Sequence, residues 1–471
     1  KGLAPCLRLK EGNLEEGRFS FMSNELKQKF VEKRAKVAVI GLGYVGLPLA
    51  VELASVGFQV HGIDVSKEKV EKLKKGQSYV MDVDDVVIRR LVNKNLFPTT
   101  DYSVLKDMDA ISICVPTPLN KTKDPDMSYI TAVVDQLVRY LTPNTLVVLE
   151  STTYPGTTEE LIANVLEEKR GFKAGEDIFI CYSPERVDPG NKKYTTKNTP
   201  KVMGGITPRC LELGLALYQA FLDHLVPVSS TSVAEMVKLL ENTFRSVNIA
   251  LVNELTMMCD RMGINVWEVI EAASTKPFGF MPFYPGPGIG GHCIPLDPMY
   301  LSWKAKMFDF YNRFIELAQD VNGNMPRYVL QQIADILNER EKAIKSSRIL
   351  LIGLAYKKDV DDLRESPALE LYKLLDQKGA KLSYHDPYVP CFAYGDALIH
   401  SVELTAERLK ETDLVVIATD HSNVDYQLIV EHAPVVYDTR NATRHLDADN
   451  VILLGGQKKS TIPYKDPAIL L

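Results

Sequence analysis

The sequence predicts an α/β protein in which a central domain of long helices joins two Rossmann-like domains, each a doubly wound parallel sheet. Two stretches, 36–64 and 348–387, each follow the pattern strand, turn or loop, helix, and second strand ending in an aspartate. Further apolar runs alternate with helical patterns after each stretch, as expected for sheets covered on both faces. Long helical patterns at about 231–275 and 308–340 lie between the two.

These patterns divide the 471 residues into four segments in chain order. The stretch before Met22 has neither the apolar core of a signal peptide nor a packing pattern, so we interpret it as an expression leader or an extended start. The predicted segments are a leader and first helix (1–33), a first Rossmann-like domain (34–228), a central helical domain (229–345) and a second Rossmann-like domain (346–471).

The composition gives no reason to expect a nucleic-acid or membrane partner. Lysine and arginine number 55 against 61 aspartate and glutamate residues, which gives a net charge of −6. No apolar run approaches the roughly 20 residues needed to span a bilayer. The seven cysteines form no CxxC pair, so we expect reduced thiols in a cytoplasmic protein, without disulfides or structural zinc.

The first strand–helix turn, GLGYVG, places Gly41, Gly43 and Gly46 in G-x-G-x-x-G spacing. The first glycine permits a tight turn, the second lets a pyrophosphate approach the backbone, and the third lets the helix pack on the strand. Asp64 ends the next strand, where an acid binds a ribose diol and disfavours a 2′-phosphate, which indicates NAD rather than NADP. The alternative is a glycine turn required only for packing.

Three further buried-strand candidates follow this turn, at 110–116, 145–151 and 178–184. Thr117 comes directly after the first of them, at the carboxyl edge where such sheets bind ligands. Glu185 follows the third and is either a site carboxylate or an ordinary loop charge.

The central helix carries Lys238, Asn242 and Arg245 at positions i, i+4 and i+7, on one face. Taken alone, such a stripe is most often a solvated helix face. The 231–275 pattern contains no proline and a single glycine, Gly263, near an internal break. Long connecting helices of this kind often form dimer interfaces, so we expect a homodimer or a larger homo-oligomer.

The stretch PGPGIGGHCIPLDP, residues 285–298, sets Cys293 among glycines and prolines. These residues fix loop geometry and do not build a core, so the thiol is either a nucleophile on a rigid, accessible loop or part of ordinary surface. Asp297 belongs to the same site or is a turn residue, since aspartate before proline commonly makes a turn.

The second Rossmann-like pattern keeps Gly353 but lacks the other two glycines of the first, and its second strand ends in Asp386. The segment 412–420 resembles the earlier strand at 108–116, and 434–441 supplies another strand. We therefore expect a similar fold with a different ligand.

Seven motifs occur in order: GLGYVGLPLA, VPTP, STTYPGTT, SPER, the K-x-x-x-N-x-x-R helix, GIGGHCIPLDP and GLAYKKDVDDLRESP. This succession resembles the UDP-glucose/GDP-mannose dehydrogenase family from Lys36 to the 434–441 strand, nearly the whole chain. The resemblance implies an enzyme of polysaccharide biosynthesis that oxidises C6 of a sugar nucleotide twice with NAD. The alcohol becomes an aldehyde, a cysteine thiolate adds to give a thiohemiacetal, and the resulting thioester is hydrolysed.

The resemblance also implies roles for individual residues. Cys293 corresponds to the nucleophile, Lys238 to the stabiliser of oxyanion intermediates, and Glu185 to a residue that assists thioester hydrolysis. No metal is implied. The residues that hold and activate a water correspond to Asp297, Asn242 and Thr152.

The same resemblance implies which residues bind the cofactor and which bind the substrate. The glycines of the cysteine loop are expected to keep it slim enough for substrate to approach. The residues implied to bind NAD are Gly41, Gly43, Tyr44, Val45, Gly46, Asp64, Lys69, Thr117 and Thr152. The residues implied to bind the UDP-sugar are Arg186, Val187, Lys238, Asn242, Arg245, Gly290, Tyr356, Lys357, Arg364 and Arg440.

Two departures bear on the sugar. UDP-glucose dehydrogenases typically have a lysine before the aspartate of the cysteine loop and a second glutamate after SPE, where this chain has Leu296 and Pro189. The chain instead resembles the branch acting on UDP-N-acetylhexosamines, and the 276–288 loop resembles the enzymes for UDP-N-acetylglucosamine. UDP-N-acetylmannosamine, UDP-N-acetylgalactosamine and UDP-glucose stay open as substrates. A single-step β-hydroxyacid dehydrogenase and a non-catalytic nucleotide-binding protein are the more distant alternatives.

Overall fold

The chain is described by a computed structural model over residues 23–80, 82–120, 124–186, 193–291 and 293–456. It forms two compact units. The first contains the described residues up to Glu241 together with Met299–Phe308. The second contains Asn242–Pro298 and the described residues from Asp309 onward. The four-segment division made from the sequence stays a prediction.

The first unit is built on an eight-stranded sheet of order β3-β2-β1-β4-β5-β6-β7-β8. The order 3-2-1-4-5-6 of its first six strands is the Rossmann arrangement. The strands are β1 (Lys36–Ile40), β2 (Gln59–Ile63), β3 (Leu96–Thr99), β4 (Ala110–Ile113), β5 (Leu146–Leu149), β6 (Phe179–Tyr182), β7 (Lys201–Gly205) and β8 (Leu225–Val228).

Both faces of this sheet are covered, because successive side chains of β1 enter different cores. Val37 and Val39 lie in one hydrophobic cluster, and Ala38 and Ile40 lie in another. The covering helices are α1 (23–31), α2 (Gly46–Ser55), α3 (Lys67–Lys74), α4 (Asp85–Leu91), α5 (Ser128–Tyr140), α6 (Asn164–Arg170) and α7 (Pro208–Tyr218), with a 3₁₀ turn at Tyr102–Asp107 and a π-helical turn at Thr158–Ala163.

One strand pair departs from the predicted parallel arrangement, since β7 runs antiparallel to β6. A parallel pair needs a crossover, usually a helix. The described part of this connection, 183–186 and 193–200, contains no helix, so the chain returns in the opposite direction. The other pairs of the sheet are parallel, and the predicted fold class is confirmed.

The second unit contains a five-stranded parallel sheet of order β10-β9-β13-β14-β15. This is the 2-1-3-4-5 order of the other common doubly wound fold. A separate β-hairpin, β11 (Cys391–Tyr394) with β12 (Ala397–His400), comes between β10 and β13 in the sequence. The sheet strands are β9 (Arg348–Ile352), β10 (Lys381–His385), β13 (Leu414–Ile417), β14 (Val436–Asp438) and β15 (Val451–Leu453), and the helices after β9 are α12 (Pro367–Gln377), α13 (Ala406–Glu411) and α14 (Tyr426–His432).

The long central helix is α8 (Thr231–Met262), and the division between the units falls within it. Gly263 follows it with a left-handed φ of +69°, and α9 (Val266–Ser274) begins three residues later, so the predicted break is confirmed. The helix α10 spans Asp297–Lys306 and α11 spans Arg313–Asn338. The start of α11 differs from the predicted 308 because Asp309 adopts a left-handed φ of +55°. No helix among the described residues is long and apolar enough to cross a membrane.

Candidate active site

The GLGYVG turn has the stereochemistry of a dinucleotide site. Gly41 has φ +87°, and a Cβ there would lie 2.6 Å from the carbonyl oxygen of Cys114. A Cβ at Gly46, where α2 begins, would overlap the carbonyl oxygen of Gly41. A Cβ at Gly43 would meet nothing within 4 Å. The first and third glycines are therefore required by the protein itself, while Gly43 faces space that a phosphate group could occupy.

The Asp64 carboxylate is buried at the end of β2 and lies beside the same turn. One oxygen accepts the backbone N–H of Leu42 at 2.9 Å, and the other accepts that of Ser66 at 2.9 Å. The Lys69 ammonium lies 3.4 Å from the first oxygen and its side chain is 40% exposed. These residues fit NAD: the open space at Gly43 suits a pyrophosphate, and Asp64 suits a ribose diol. Tyr44 is 42% exposed and Val45 is half-buried at this turn.

Thr117 follows β4, which lies parallel beside β1, and Thr152 follows β5, which lies parallel beside β4. Their loops consequently lie at the same edge of the sheet as the GLGYVG turn. The Tyr300 hydroxyl donates to the Thr117 carbonyl at 2.6 Å, and the Ser151 hydroxyl donates to the Val115 carbonyl at 2.8 Å. The structure thus gathers the predicted cofactor-binding residues of the first unit at one edge.

A buried carboxylate that the sequence analysis missed holds the loop after Thr152. Glu235 of α8 accepts the N–H groups of Gly156 at 2.6 Å and Thr158 at 2.9 Å, and the Thr158 hydroxyl at 2.7 Å. Burial raises the pKa of Glu235 to about 7, although these three donors favour the charged form. The available signal was its position three residues before Lys238, on the same face of the helix.

Lys238 and Glu185 are neighbours within the first unit. The Lys238 ammonium donates to the backbone carbonyl of Glu185 at 2.6 Å. The Glu185 carboxylate accepts the backbone N–H of Arg186 at 2.8 Å and lies 3.3 Å from the ammonium of Lys201, a residue that the sequence analysis did not select. The Arg186 guanidinium donates to Glu241 at 2.6 Å. Val187 lies outside the described residues.

In the second unit, Asn242, Cys293 and Asp297 lie together. The Asp297 backbone N–H donates to the Cys293 carbonyl at 2.8 Å, so the two residues are one tight turn apart. The Asn242 side-chain amide donates to the Asp297 carboxylate at 2.5 Å, and both side chains are buried. Cys293 is partly exposed. The turn that carries Cys293 therefore also carries the buried Asp297–Asn242 pair, whereas Arg245 is exposed on α8.

The glycines of the cysteine loop let it pack on protein. A Cβ at Gly290 would lie 2.6 Å from the Tyr356 Cβ, and one at Gly286 would overlap the Arg440 guanidinium. Gly291 donates its N–H to the Arg364 carbonyl at 3.0 Å. The loop thus packs against several of the predicted UDP-binding positions. This close packing is a second reason for its glycines, in addition to the expected approach of substrate.

The cationic side chains of these positions differ in their contacts. The Arg364 guanidinium donates to Asp362 at 2.6 Å, and the Arg440 guanidinium donates to the Ala418 carbonyl at 3.0 Å. Lys357 is half-buried. The described residues contain no group of three or more His, Cys, Asp or Glu that could hold a metal ion.

Three domain profiles of one family match the chain in order. They are the NAD binding domain over residues 35–222, the central domain over 232–324 and the UDP binding domain over 350–445. The chain belongs to the UDP-glucose/GDP-mannose dehydrogenase family. The NAD binding domain contains the GLGYVG turn, and the UDP binding domain contains Lys357, Arg364 and Arg440.

Individual members of the family are similar over most of their length. The UDP-N-acetyl-D-mannosamine dehydrogenase of Methanococcus maripaludis is 34% identical over 424 residues, covering 87% of this chain and 93% of that protein. The UDP-N-acetyl-D-glucosamine 6-dehydrogenase of Pseudomonas aeruginosa is 37% identical, covering 76% of this chain and 84% of that protein. The solved structure of a UDP-D-ManNAc dehydrogenase from Pyrococcus horikoshii has a TM-score of 0.81 at 33% identity, covering 89% of this chain and 99% of that one.

Membership in this dehydrogenase family confirms three expectations from the sequence. The chain is an oxidoreductase of the nucleotide-sugar dehydrogenases, its cofactor is NAD, and its UDP binding domain serves a UDP-sugar. The roles given to individual residues stay predictions.

Proposed function

We propose that the chain oxidises the C6 hydroxyl of a UDP-N-acetylhexosamine to the uronic acid in two NAD-dependent steps. The proposed substrate is UDP-N-acetylglucosamine. The relatives named above act, by their names, on N-acetylglucosamine and N-acetylmannosamine nucleotides. Leu296 and Pro189 favour this branch over UDP-glucose, and the 276–288 loop favours the N-acetylglucosamine epimer. UDP-glucose and the mannosamine and galactosamine epimers stay the alternatives.

The observation that carries the proposal is the placement of Cys293 beside Asp297. A partly exposed thiol on a glycine-rich loop lies one turn from a buried carboxylate that Asn242 fixes at 2.5 Å. A thiol attacks a carbonyl well and also leaves well, which suits an oxidation that passes through an acyl intermediate. A structural cysteine would need neither the exposure nor the polar neighbours.

In the proposed reaction, NAD when bound supplies the hydride acceptor for both oxidations. The Cys293 thiolate adds to the aldehyde carbon to form a thiohemiacetal, which becomes a thioester after the second oxidation. Lys238 stabilises the alkoxide oxygens of these intermediates, and Asp297 with Asn242 and Thr152 holds the water. Glu185 takes a proton from that water as the thioester is hydrolysed and the thiolate leaves.

Substrate and cofactor binding complete the proposal. NAD would be held by the turn from Gly41 to Gly46, by Asp64 and Lys69, and by Thr117 and Thr152. The UDP-sugar would be held by Arg245, Gly290, Tyr356, Lys357, Arg364 and Arg440, together with Arg186 and Val187.

A second copy of the chain is the proposed partner. Large apolar side chains are exposed along one face of α8 in the second unit, namely Phe244, Leu251, Leu255, Met258 and Met262, between 38% and 60% exposed. A continuous apolar stripe on a helix of this length needs a cover. We expect a dimer in sedimentation analysis, and monomers after Leu251→Lys with Leu255→Lys. A dimer that survives both changes would contradict this interface.

The catalytic part of the proposal is tested by replacing the nucleophile. Cys293→Ser should lower the rate of uronic-acid formation by about 1,000-fold or more, because an ester-forming alkoxide is far harder to generate than a thiolate. Cys391→Ser is the matched control, because Cys391 is also partly exposed but lies on the β11–β12 hairpin. An unimpaired Cys293→Ser enzyme would remove this thiol from the reaction.

The sugar is tested by initial rates of NADH formation with the four UDP-sugars. UDP-N-acetylglucosamine is expected to give the highest kcat/KM. A higher value for UDP-N-acetylmannosamine, UDP-N-acetylgalactosamine or UDP-glucose would reassign the substrate and leave the reaction type intact.

A further inference from the structure

Lys201 places a buried ammonium between two carboxylates of the first unit. It is the first residue of β7 and is 4% exposed. Its ammonium lies 2.5 Å from the Glu150 carboxylate and 3.3 Å from the Glu185 carboxylate, and it also donates to the Pro184 carbonyl at 3.4 Å. A fully buried lysine is rare unless it is paired, and here it is paired twice.

The Glu150 side of this arrangement is a rigid frame. Glu150 follows β5 and is 1% exposed, and its second carboxylate oxygen accepts the hydroxyl of Tyr218. Tyr218 is itself fully buried, with the Ser112 hydroxyl 3.3 Å away. Burial disfavours the ammonium of Lys201, but Glu150 and Glu185 outweigh it and hold its pKa above the ordinary value, so this residue is a cation.

The Glu185 side is different, because Glu185 sits on the loop after β6 and is partly exposed. One of its carboxylate oxygens accepts the Arg186 N–H at 2.8 Å and the other faces Lys201. A loop carboxylate without such a tether would exchange rotamers freely. Lys201 therefore connects a buried acid at the end of β5 to an acid on a partly exposed loop.

The acceptor capacity of Glu185 also matters. A carboxylate offers about four lone-pair sites on its two oxygens, so the contact with Lys201 does not exhaust the acceptor capacity of Glu185. The three N–H donors of the Lys201 ammonium face the Glu150 carboxylate, the Pro184 carbonyl and the Glu185 carboxylate, so two of its three acceptors belong to the loop that carries Glu185.

We propose that Lys201 is a positioning residue for the reaction, one that fixes the Glu185 carboxylate for hydrolysis of the thioester. The inference rests on the proposed function, which gives Glu185 that task. In this step the water oxygen bonds to the thioester carbon, Glu185 accepts the water proton, and the carbon–sulfur bond breaks so that Cys293 leaves as the thiolate. Lys201 touches neither water nor thioester.

The test uses the full-length enzyme carrying Lys201→Met together with Glu150→Gln. The second change keeps the buried frame neutral, so that the loss of the cation does not leave Glu150 buried and unpaired. The enzyme is mixed rapidly with NAD and with whichever UDP-sugar gives the highest wild-type rate, and NADH is followed by absorbance. Lys29→Met is the matched control, because the Lys29–Asp109 pair at 2.9 Å belongs to the same unit but lies at the opposite, amino edge of the sheet.

The double variant is expected to release a burst of NADH approaching two per enzyme, followed by turnover about 10- to 100-fold slower than wild type. The values of kcat/KM for NAD and UDP-sugar should stay within about threefold, because binding and the steps up to the thioester are not altered, and KM should fall together with kcat. Mass spectrometry of the quenched reaction should show the acyl group on Cys293, and Glu185→Gln should behave alike. Lys29→Met should show no burst.

Slow turnover without a burst and without the acyl adduct would overturn the role of Lys201, since a merely structural residue lowers the fraction of active enzyme and accumulates no intermediate. Turnover of the double variant at the wild-type rate would overturn it equally. These outcomes are distinct from failure of the proposed function, in which the wild type itself would yield one NADH per sugar.

Discussion

The turns that follow the first strand of the two Rossmann-like sheets have similar sequences, GLGYVG in the first unit and GLAYKK in the second. Gly41 and Gly353 occupy the same position in the two turns, and both adopt left-handed φ angles, +87° and +79°. A Cβ at either glycine would clash with the loop after the neighbouring strand, at Cys114 in one unit and Thr419 in the other. The first glycine therefore belongs to the fold, whatever the sheet binds.

The next two positions separate the units. Gly43 faces open space, whereas Ala355 is buried and donates its N–H to Asp386 at 3.0 Å. Gly46 is the first residue of α2. The equivalent residue of the second unit, Lys358, lies in a loop, and α12 begins only at Pro367. Without the third glycine a helix cannot pack so close to the strand, and the intervening loop carries Lys357 and Arg364, two of the cationic residues proposed to bind UDP.

The acids after the second strand show the same contrast. Asp64 accepts two backbone N–H groups and meets a half-exposed lysine. Asp386 accepts four backbone N–H groups and also lies 3.1 Å from His421. The N–H of Asp359 donates to the other ring nitrogen of His421, so the nitrogen facing Asp386 carries the proton. The Asp386 carboxylate of the second unit is thus hydrogen-bonded within the protein, and the sheet of this unit belongs to the UDP binding domain.

The largest expected effect comes from the third glycine. Gly46→Ala should lower the free energy of unfolding by about 3 kcal/mol, because the new methyl group overlaps a backbone oxygen that cannot move aside. Urea denaturation measures it, with Lys358→Ala as the matched change in the second unit, expected within about 0.5 kcal/mol of wild type. Equal effects of the two changes would end the distinction between the turns.

Two buried carboxylates should respond to pH in opposite directions. Burial raises the Glu235 pKa from its ordinary 4.5 to about 7, so its stabilisation is complete below 4.5 and is lost as pH rises through 7. Burial also opposes ionisation of Asp386, but His421 and backbone N–H groups outweigh it and lower that pKa below 3.8. The stabilisation from Asp386 is therefore present above 3.8 and is lost as pH falls through its lower folded value.

As pH rises from 4.5 to 7, the free energy of unfolding of Glu235→Gln should accordingly increase by on the order of 3 kcal/mol relative to that of wild type. Asp386→Asn should be less stable than wild type at neutral pH, and the difference should shrink in acid. Unfolding free energies at several pH values measure both. A pH-independent difference for Glu235→Gln would show that this carboxyl titrates normally in the fold.

The middle glycine should affect the cofactor and leave the fold intact. Gly43→Ala should raise the KM for NAD about 10-fold while the melting temperature stays unchanged, because the methyl group enters space that only a ligand would fill. Ala355→Gly is the matched change and should leave the KM for NAD unaltered. A normal KM in Gly43→Ala would place the pyrophosphate elsewhere.

The smallest effect is expected at the lysine beside Asp64. Lys69→Met should raise the KM for NAD about twofold, since an ion pair whose lysine is 40% exposed contributes little. Steady-state kinetics at low and high salt measure it, with Lys72→Met on the same helix as the control. A tenfold effect would show that Lys69 contacts the cofactor more closely than the pair with Asp64 indicates.

The sequence predicted features that depend on neighbours in the chain. The glycine turn, the strand ending in Asp64 and the break at Gly263 each follow from a few consecutive residues. Glu150 and Lys201 were not predicted because each looks like an ordinary end of an apolar strand, and their pairing joins residues 51 positions apart. The hydrogen bonds of Glu235 cross 77 positions or more for the same reason. The antiparallel β7 depends on a connection that no periodicity reveals.

The central claim is that one active site oxidises the same carbon twice through Cys293. The most direct measurement is the number of NADH molecules formed per UDP-sugar consumed at completion, with the product identified by mass. The account predicts two NADH per sugar, a uronic acid as product and no released aldehyde. One NADH per sugar with free aldehyde in solution would contradict it and favour a single-step dehydrogenase.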